Sequence, residues 1–287
     1  MDIYLKNYRF KIDPGQNKDY WDRINSDVWE PFTFVIFDYF ITEESTVLDL
    51  GSWAGVLTLY AAMLSKEVHA VDPDPVCFEE LQANISLNPL IANKVKTYKK
   101  AISDKKTLVR LSARERYGRS SSSILVRRRD KENALEIETI TLFDFLLQED
   151  IGKVDFIKMD VEGAEFKILR SIGKVIEKYN YPTLYVSFHY NYLRESLYGK
   201  YIFSRILNKI IFRLEKMLSI DLLKSKISKD ISNLFDQVKS YKYIYKTDGE
   251  LVSIEKLENE ILELIKSDLV FTNTEWNPSS PDKQILT

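Results

Sequence analysis

The sequence predicts an α/β protein with a mainly parallel, twisted sheet and helices on both faces. Three observations predict it: short apolar strands alternate with helical segments, a glycine-rich turn follows the first of those strands, and acidic residues follow several strand ends. Alternation of this kind is typical of a doubly wound parallel sheet. With 45% hydrophobic residues, the chain can bury a core that fits one large domain.

The elements follow in order from the apolar runs and their boundaries. A proline at position 31 suits the first turn of a helix, because its missing N–H has no partner there in any case. Helices are predicted over 31–41, 55–65, 75–88 and from about 160 to 178. Strands are predicted over 47–50, 68–72, 95–98, 108–111, 153–159, 183–188, 241–246 and 268–272.

Two segments stand apart from this alternation. Residues 1–30 are predicted to cap the domain, with Trp21 and Trp29 as anchors, and 31–287 form a single domain. Residues 193–240 show long amphipathic helical periodicity and are predicted to be a helical insertion or lid.

Composition excludes several classes of protein. A net charge of -2 argues against a generic nucleic-acid binder. The single cysteine, Cys77, excludes an intramolecular disulfide and a zinc site built on several thiolates. Because the chain shows neither a signal core nor an apolar run of about 18 residues, we expect a cytoplasmic protein.

The first candidate site is the turn between the strand 47–50 and the next helix. It contains Asp49, Gly51, Ser52 and Gly55. Glycines let the backbone turn sharply and approach a ligand closely, and the following helix offers free N–H groups. The spacing G-x-x-x-G does not match the dinucleotide pattern G-x-G-x-x-G.

An acidic residue, Asp72, ends the second strand. In this type of fold an acid about 20 residues after the glycine turn accepts hydrogen bonds from ribose hydroxyls. The alternative interpretation is an ordinary strand-to-helix turn at Gly51 and Gly55, with Asp72 as a helix cap. Together, the turn and the acid favour a bound nucleoside.

From these residues onward the chain resembles S-adenosylmethionine (SAM)-dependent methyltransferases. The segment from Phe156 to Glu165, FIKMDVEGAE, is similar to the signature of the FkbM family of methyltransferases. Further similarity lies at Trp29-Glu30-Pro31, at Ala101-Ile102-Ser103, in the serine run 120–123 and over 137–145. The resemblance covers about residues 28–190.

The resemblance implies a Rossmann-like class I methyltransferase fold that binds SAM and methylates oxygen, often on sugars, lipids or secondary metabolites. It places Asp49 near the methionine part of SAM and Gly51 and Gly55 at backbone contacts. It further implies that Asp72 binds the ribose hydroxyls, with Ala101 and Ile102 beside the adenine.

A second candidate site lies at the carboxyl ends of two later strands. Asp160 and His189 are predicted to end neighbouring strands, where ligands bind in open α/β sheets. Glu162 and Glu165 are predicted in the first turn of the next helix, where carboxylates also stabilise the helix dipole.

Two kinds of chemistry suit this second site. A hydroxyl acceptor must lose its proton, so His189 or Asp160 is predicted to act as a base, with Glu162 as a further catalytic candidate. Alternatively, Asp160, Glu162 and His189 bind a divalent metal ion that acidifies the hydroxyl. The sequence leaves both open.

Partners and rival functions follow from the charge pattern. Basic residues cluster over 105–131, including Arg127, Arg128 and Arg129, and again over 194–229. They predict an anionic small-molecule or glycan acceptor, or contact with an anionic membrane surface. The rival functions are an RNA methyltransferase, which the overall charge disfavours, and an inactive nucleotide-binding scaffold.

Overall fold

The computed structural model describes residues 1–26, 29–126, 134–201, 213–214, 217, 231 and 233–278, and the side chains of these except 197–201. Most of the predicted insertion, together with Arg127, Arg128, Arg129 and Lys131, therefore lies outside the described residues.

The strands, numbered in chain order, are β1 Asp2–Leu5, β2 Tyr8–Lys11, β3 Thr46–Leu50, β4 Glu67–Val71, β5 Val95–Tyr98, β6 Ala101–Ser103, β7 Thr107–Ala113, β8 Ser122–Ser123, β9 Leu135–Thr141, β10 Phe156–Met159, β11 Thr183–Val186, β12 Tyr243–Lys246 and β13 Leu269–Thr272. The described helices are α1 Lys18–Ile24, α2 Pro31–Phe40, α3 Val56–Leu64, α4 Pro75–Ser86, α5 Pro89–Ala92, α6 Leu142–Gln148, α7 Glu165–Ser171, α8 Gly173–Lys178, α9 Tyr190–Tyr201, α10 Ile254–Asn259 and α11 Ile261–Leu264. Among them, no helix is long and apolar enough to cross a membrane.

The main sheet has seven strands in the order β12-β13-β11-β10-β3-β4-β5. Neighbours from β11 through β5 pair in parallel, whereas β13 runs antiparallel to both β11 and β12. The strand order reverses where β3 meets β10, which is the switch point at which such sheets bind ligands. The predicted mainly parallel α/β architecture is confirmed.

The sheet separates two apolar cores, because side chains alternate between its faces along each strand. Val47 and Phe156 pack on the face that α2, α3 and α4 cover. Leu48 and Ile157 pack on the opposite face, with residues of α6, α7 and α8. Each central strand is buried on both faces, which explains why its residues are mostly apolar.

A second sheet departs from the sequence prediction. The predicted strand over 108–111 belongs to β7, which pairs antiparallel with β9 in a separate sheet of order β6-β9-β7-β8. The strand β9 was not predicted, although its alternation of apolar and polar residues is typical of a half-exposed strand. This small sheet places the loop 114–126 beside the switch point.

The N-terminal residues pack onto the domain through aromatic rings. Trp21 is fully buried, and its ring stacks on Trp53 at 5.3 Å between centroids. Asn17 donates a hydrogen bond to the carbonyl of Gly118 at 2.9 Å.

The C-terminal end of the predicted insertion packs against the domain. Its described residues Leu234, Phe235 and Val238 are buried in the main core.

Candidate functional site

A cleft opens at the switch point, at the carboxyl ends of β3, β4 and β10. Its empty volume is about 1140 Å³, part of it open to solvent. Sequence-predicted site residues among its lining are Gly51, Ser52, Asp72, Ala101, Ile102, Asp160, Glu162 and His189. The structure therefore brings the glycine turn and the later acidic residues, far apart in sequence, into one cavity.

The glycine turn is constrained by close contact with the chain after β10. Gly51 has φ +81°, and a Cβ there would lie 1.7 Å from the backbone oxygen of Asp160. Gly55 precedes α3 with φ +98°, and its Cβ would lie 2.8 Å from Leu81 Cδ1. Only glycine suits position 51, because this position requires both a left-handed backbone conformation and the absence of a side chain.

Asp49 lies behind the cleft rather than in it. Its Oδ1 is 2.9 Å from Lys158 Nζ, and its Oδ2 accepts a hydrogen bond from Thr58 at 2.6 Å. Gly55 is likewise absent from the described lining of the cleft. The sequence interpretation placed Asp49 near the methionine part of SAM and gave Gly55 a backbone contact; the structure places both next to residues that line the cleft.

Lys158 was not singled out from the sequence as a functional residue. It pairs with Asp49 across β10 and β3, and its Nζ donates to the carbonyl of Gly51 at 2.6 Å. Burial alone would lower the pKa of Lys158, but the charges of Asp49 and Asp160 raise it. A lysine inside an apolar strand was the available signal, since buried charges require partners.

Asp72 is buried at the end of β4 and holds the turn in place. Its Oδ2 accepts from the backbone N–H of Trp53 at 2.9 Å, and its Oδ1 accepts from that of Asp74 at 2.9 Å. Burial is the main reason that the pKa of Asp72 rises to about 7. Each carboxylate oxygen has a second lone pair, so ligand hydroxyls can still donate to it.

One half of the cleft is formed by Gly51, Asp72, Ala101 and Ile102, where the sequence predicts the cofactor, and we call it the cofactor half. Ser52 is a further polar group in this half. Its Oγ is buried and has no hydrogen-bond partner among the described residues. A buried hydroxyl without a partner is unfavourable unless a ligand supplies one. Ala101 and Ile102 form an apolar wall of the same half, as expected beside an adenine.

The other half of the cleft contains a histidine surrounded by carboxylates. His189 Nε2 lies 3.5 Å from Asp160 Oδ1 and 3.5 Å from Glu162 Oε2. Its Nδ1 lies 3.4 Å from Glu165 Oε1. The predicted meeting of Asp160, Glu162 and His189 is confirmed, and one ligand atom from each lies within 4.8 Å of the others.

Glu165 fixes the backbone around the cluster of Asp160, Glu162 and His189. It is fully buried, and its carboxylate accepts from the backbone N–H groups of Gly163 at 2.8 Å and His189 at 2.7 Å. Glu162 lies before α7, in a left-handed backbone conformation, and not in the first helical turn as predicted. Likewise, β11 ends at Val186, so His189 follows the strand instead of ending it.

The charges of the cluster set its protonation. Burial alone would lower the pKa of His189, but the contact with Glu165 and the charges of Asp160, Glu165 and Glu162 raise it to about 10. Burial, opposed by the charge of His189, raises the pKa of Glu162 to about 7. At neutral pH, His189 is therefore an imidazolium in the site as it stands.

Three described arginines of the basic stretch contact the protein itself. Arg116 donates to the carbonyl of Gln16 at 2.8 Å, and Arg119 pairs with Asp19 at 3.0 Å. The guanidinium of Arg114 lies 3.1 Å from the ring centroid of Tyr192. Among these three, Arg119 also lines the cleft.

The family model described as the methyltransferase FkbM domain matches residues 45–215. This chain belongs to the FkbM methyltransferase family. The match confirms the resemblance drawn from residues 156–165 and the coarser expectation of a SAM-dependent methyltransferase with the Rossmann-like class I fold.

Relatives among characterised proteins match shorter parts of the chain. Methyltransferase sdnD from Sordaria araneosa is 24% identical over 45% of this chain and 60% of its own length. The ribosomal protein L11 methyltransferase from Anoxybacillus flavithermus is 45% identical over 17% of this chain and 16% of its own length. The chain thus spans less than two thirds of these relatives.

Solved structures resemble the chain at low identity. An FkbM methyltransferase from Methylobacillus flagellatus KT is 17% identical, with a TM-score of 0.38 over 56% of this chain and 37% of that one. A putative SAM-dependent methyltransferase from Methanococcus maripaludis is 14% identical, with a TM-score of 0.37 over 96% and 99% of the two chains.

Proposed function

We propose that this FkbM-family protein transfers the methyl group of SAM to a hydroxyl of a sugar, glycan or related small molecule. The observation that carries the proposal is the placement of Asp160, Glu162 and His189 in the same cleft as the glycine turn and Asp72. Methyl transfer to oxygen needs an aligned hydroxyl and a group that takes its proton.

The cofactor half of the cleft fits a SAM molecule. Asp72 offers lone pairs to the ribose hydroxyls, and the buried Oγ of Ser52 lacks a partner that a bound ligand would supply. Gly51 lets the backbone pass close to the ligand, while Ala101 and Ile102 suit an apolar ring. When bound, SAM supplies an electrophilic methyl group on a sulfonium sulfur.

The other half of the cleft, formed by Asp160, Glu162 and His189, is called the acceptor half. It contains two carboxylates that can accept a proton and the imidazolium of His189. Because His189 is protonated at neutral pH, the carboxylates of Asp160 and Glu162 are better placed to accept the hydroxyl proton. His189 then orients both carboxylates. This assignment revises the sequence-based choice of His189 as the base and keeps Asp160 in that role.

The same three residues fit a divalent cation. Asp160, Glu162 and His189 would hold it through two carboxylates and one imidazole nitrogen, a mixed oxygen and nitrogen set. A bound cation would lower the pKa of a coordinated hydroxyl. His189 would have to lose its proton first, so metal affinity should increase with pH.

The acceptor half carries an excess of negative charge, which favours a neutral polyhydroxyl acceptor over an anionic one. Asp160, Glu162 and Glu165 surround one imidazolium, and Glu30 opens onto the same cleft. Of the described arginines in the basic stretch, Arg116 and Arg119 contact protein groups. A rate of methyl transfer that falls steeply with added salt would restore the anionic acceptor.

The test is a screen for transfer of a radiolabelled methyl group from SAM to simple sugars, nucleotide sugars, polysaccharides and RNA. We expect transfer to a sugar hydroxyl, and Asp160→Asn, which removes the proposed base, should lower the rate about 10²–10⁴-fold while SAM affinity stays nearly unchanged. Loss of activity in EDTA, with recovery on adding a divalent ion, would select the metal version.

Two outcomes of the screen would contradict the proposal. Transfer to RNA alone would show a nucleic-acid methyltransferase. SAM binding in calorimetry without transfer to any acceptor class would indicate a binding scaffold.

A further inference from the structure

A chain of four polar side chains leads away from the acceptor half of the cleft. Thr33 Oγ1 lies 3.3 Å from Glu30 Oε2, and it also lies 2.8 Å from the hydroxyl oxygen of Tyr185. That hydroxyl lies 2.7 Å from Asp268 Oδ2. Thr33 and Tyr185 are buried, while Glu30 lines the cleft.

The three hydrogen bonds that join these four side chains need one more proton than the two hydroxyl groups supply. Three hydrogen bonds require three protons, and each hydroxyl has only one to donate. If Thr33 donates to Glu30 and Tyr185 donates to Asp268, no proton remains between the two hydroxyl oxygens. Two such oxygens at 2.8 Å would then repel each other. A proton on a carboxyl group at either end supplies the third donor and satisfies all three contacts.

Two arrangements satisfy every bond with a single carboxyl proton. In one, protonated Glu30 donates to Thr33, Thr33 to Tyr185, and Tyr185 to ionised Asp268. In the other, protonated Asp268 donates to Tyr185, Tyr185 to Thr33, and Thr33 to ionised Glu30. Short shifts of each proton along its bond convert one arrangement into the other.

We infer that Glu30 is a further proton-accepting group of the acceptor site, beside Asp160 and Glu162, and that it shares one proton with Asp268 through Thr33 and Tyr185. The inference deepens the proposed function and rests on it for the source of the proton. The backbone of Glu30 supports it, because φ is 41° at a non-glycine residue that lines the cleft. Such strain is concentrated at functional sites.

The charged groups around both ends agree with a shared proton. Glu30 is exposed as a residue, but desolvation of its carboxyl group and the charges of Asp160 and Asp268 raise its pKa to about 7, against the charge of Lys158. Burial, mainly, and the charge of Asp160 raise the pKa of Asp268, against the hydrogen bonds from Tyr185 and Ser187 and the charge of His189.

The proton balance of the reaction follows from this chain. As the acceptor oxygen bonds to the methyl carbon and the carbon–sulfur bond breaks, the hydroxyl proton passes to ionised Glu30. Glu30 then donates to Thr33, Thr33 to Tyr185 and Tyr185 to Asp268, which releases its own proton to solvent. One proton enters the chain and one leaves it, so the chain returns to its starting count.

The decisive experiment is infrared difference spectroscopy of the full chain at neutral pH, which detects the C=O stretch of protonated carboxylic acids. Glu30→Gln and Asp268→Asn each introduce an amide that supplies the missing donor. The remaining carboxyl group can then ionise. We expect each single variant to lose the intensity of one carboxylic acid, and the double variant to lose no more than one.

Other patterns would overturn the inference. Retention of the band in either single variant would mean that the proton belongs to one residue alone. Loss of two acids in the double variant would mean two independent protons, and no loss in any variant would mean none. Glu80→Gln serves as the control, because Glu80 is a half-buried acid that does not belong to the hydrogen-bonded series from Glu30 to Asp268.

Two further measurements protect the test. If a variant does not fold, NMR titration of labelled carboxyl carbons in the wild type decides: common titration steps for Glu30 and Asp268 support the inference, and separate curves overturn it. The infrared result needs neither SAM nor an acceptor. Failed SAM binding in calorimetry would therefore count against the proposed function, and an absent shared proton against this inference.

Discussion

The two halves of the cleft differ in how closely their polar side chains contact other groups of the protein. In the cofactor half, Asp49 and Asp72 have their oxygens occupied by Lys158, Thr58 and backbone N–H groups at 2.6–2.9 Å. In the acceptor half, His189 lies 3.4–3.5 Å from its carboxylate neighbours. The cofactor half is tightly bonded within the protein, whereas the acceptor half has looser contacts and excess negative charge.

This difference indicates a division of roles. The cofactor half is shaped before ligand binding, because backbone strain and buried ion pairs fix it. The acceptor half requires further protons or cations to balance its carboxylates, which suits a site that accepts a proton during reaction. Mutations in the first half should therefore affect stability and SAM affinity, and those in the second should affect turnover.

The largest expected effect on stability is at Lys158. Replacing it by Met leaves Asp49 buried without its cation, and breaking such a pair costs about 3–5 kcal/mol of unfolding free energy. Urea denaturation measures this. Lys153→Met is the control, because its pair with Asp155 is exposed and contributes about 0–1 kcal/mol. Adding Asp49→Asn to Lys158→Met should recover part of the loss; no recovery would show that the charge of Asp49 is not the cause.

Gly51→Ala comes next. Its Cβ would lie 1.7 Å from the carbonyl oxygen of Asp160, at φ +81°, so the turn and the strand end must separate. We expect a loss of about 2–4 kcal/mol of unfolding free energy and undetectable SAM binding in calorimetry. Gly152→Ala is the matched control, since its Cβ would meet nothing within 4 Å. Equal behaviour of the two variants would remove the argument for a constrained turn.

The smallest effect is at Asp72. Asp72→Ala should weaken SAM binding by about 1.5–3 kcal/mol, because it removes the charged acceptor of the ribose hydroxyls. The ionised carboxyl is the better acceptor and the pKa of Asp72 is about 7, so wild-type affinity should rise as pH increases through that value. Calorimetry over a pH series tests both statements. An affinity independent of pH, or a variant as tight as the exposed control Asp22→Ala, would show that Asp72 acts only on the protein backbone.

Much of the main sheet could be predicted from the sequence. The predicted strand over 47–50 and helix over 75–88 differ from β3 and α4 by at most two residues at either end. They are predictable because buried parallel strands are continuous apolar runs and the helix has Asp74 as a cap and Pro75 at its start. Of the small second sheet, only part of β7 was predicted; the alternation in β9 is a strand pattern, but its pairing with β7 is set by the fold.

The sequence by itself determined the family, the glycine turn with Asp72, and the meeting of Asp160 with His189, because these depend on local spacing and on where parallel strands end. Only the tertiary structure decided that Asp49 pairs with Lys158, that the surrounding carboxylates raise the pKa of His189, and that Glu30 connects to Asp268. These properties depend on burial and on charges brought together from distant strands and loops. No local pattern encodes them, since each group's energy is set by neighbours that only folding supplies.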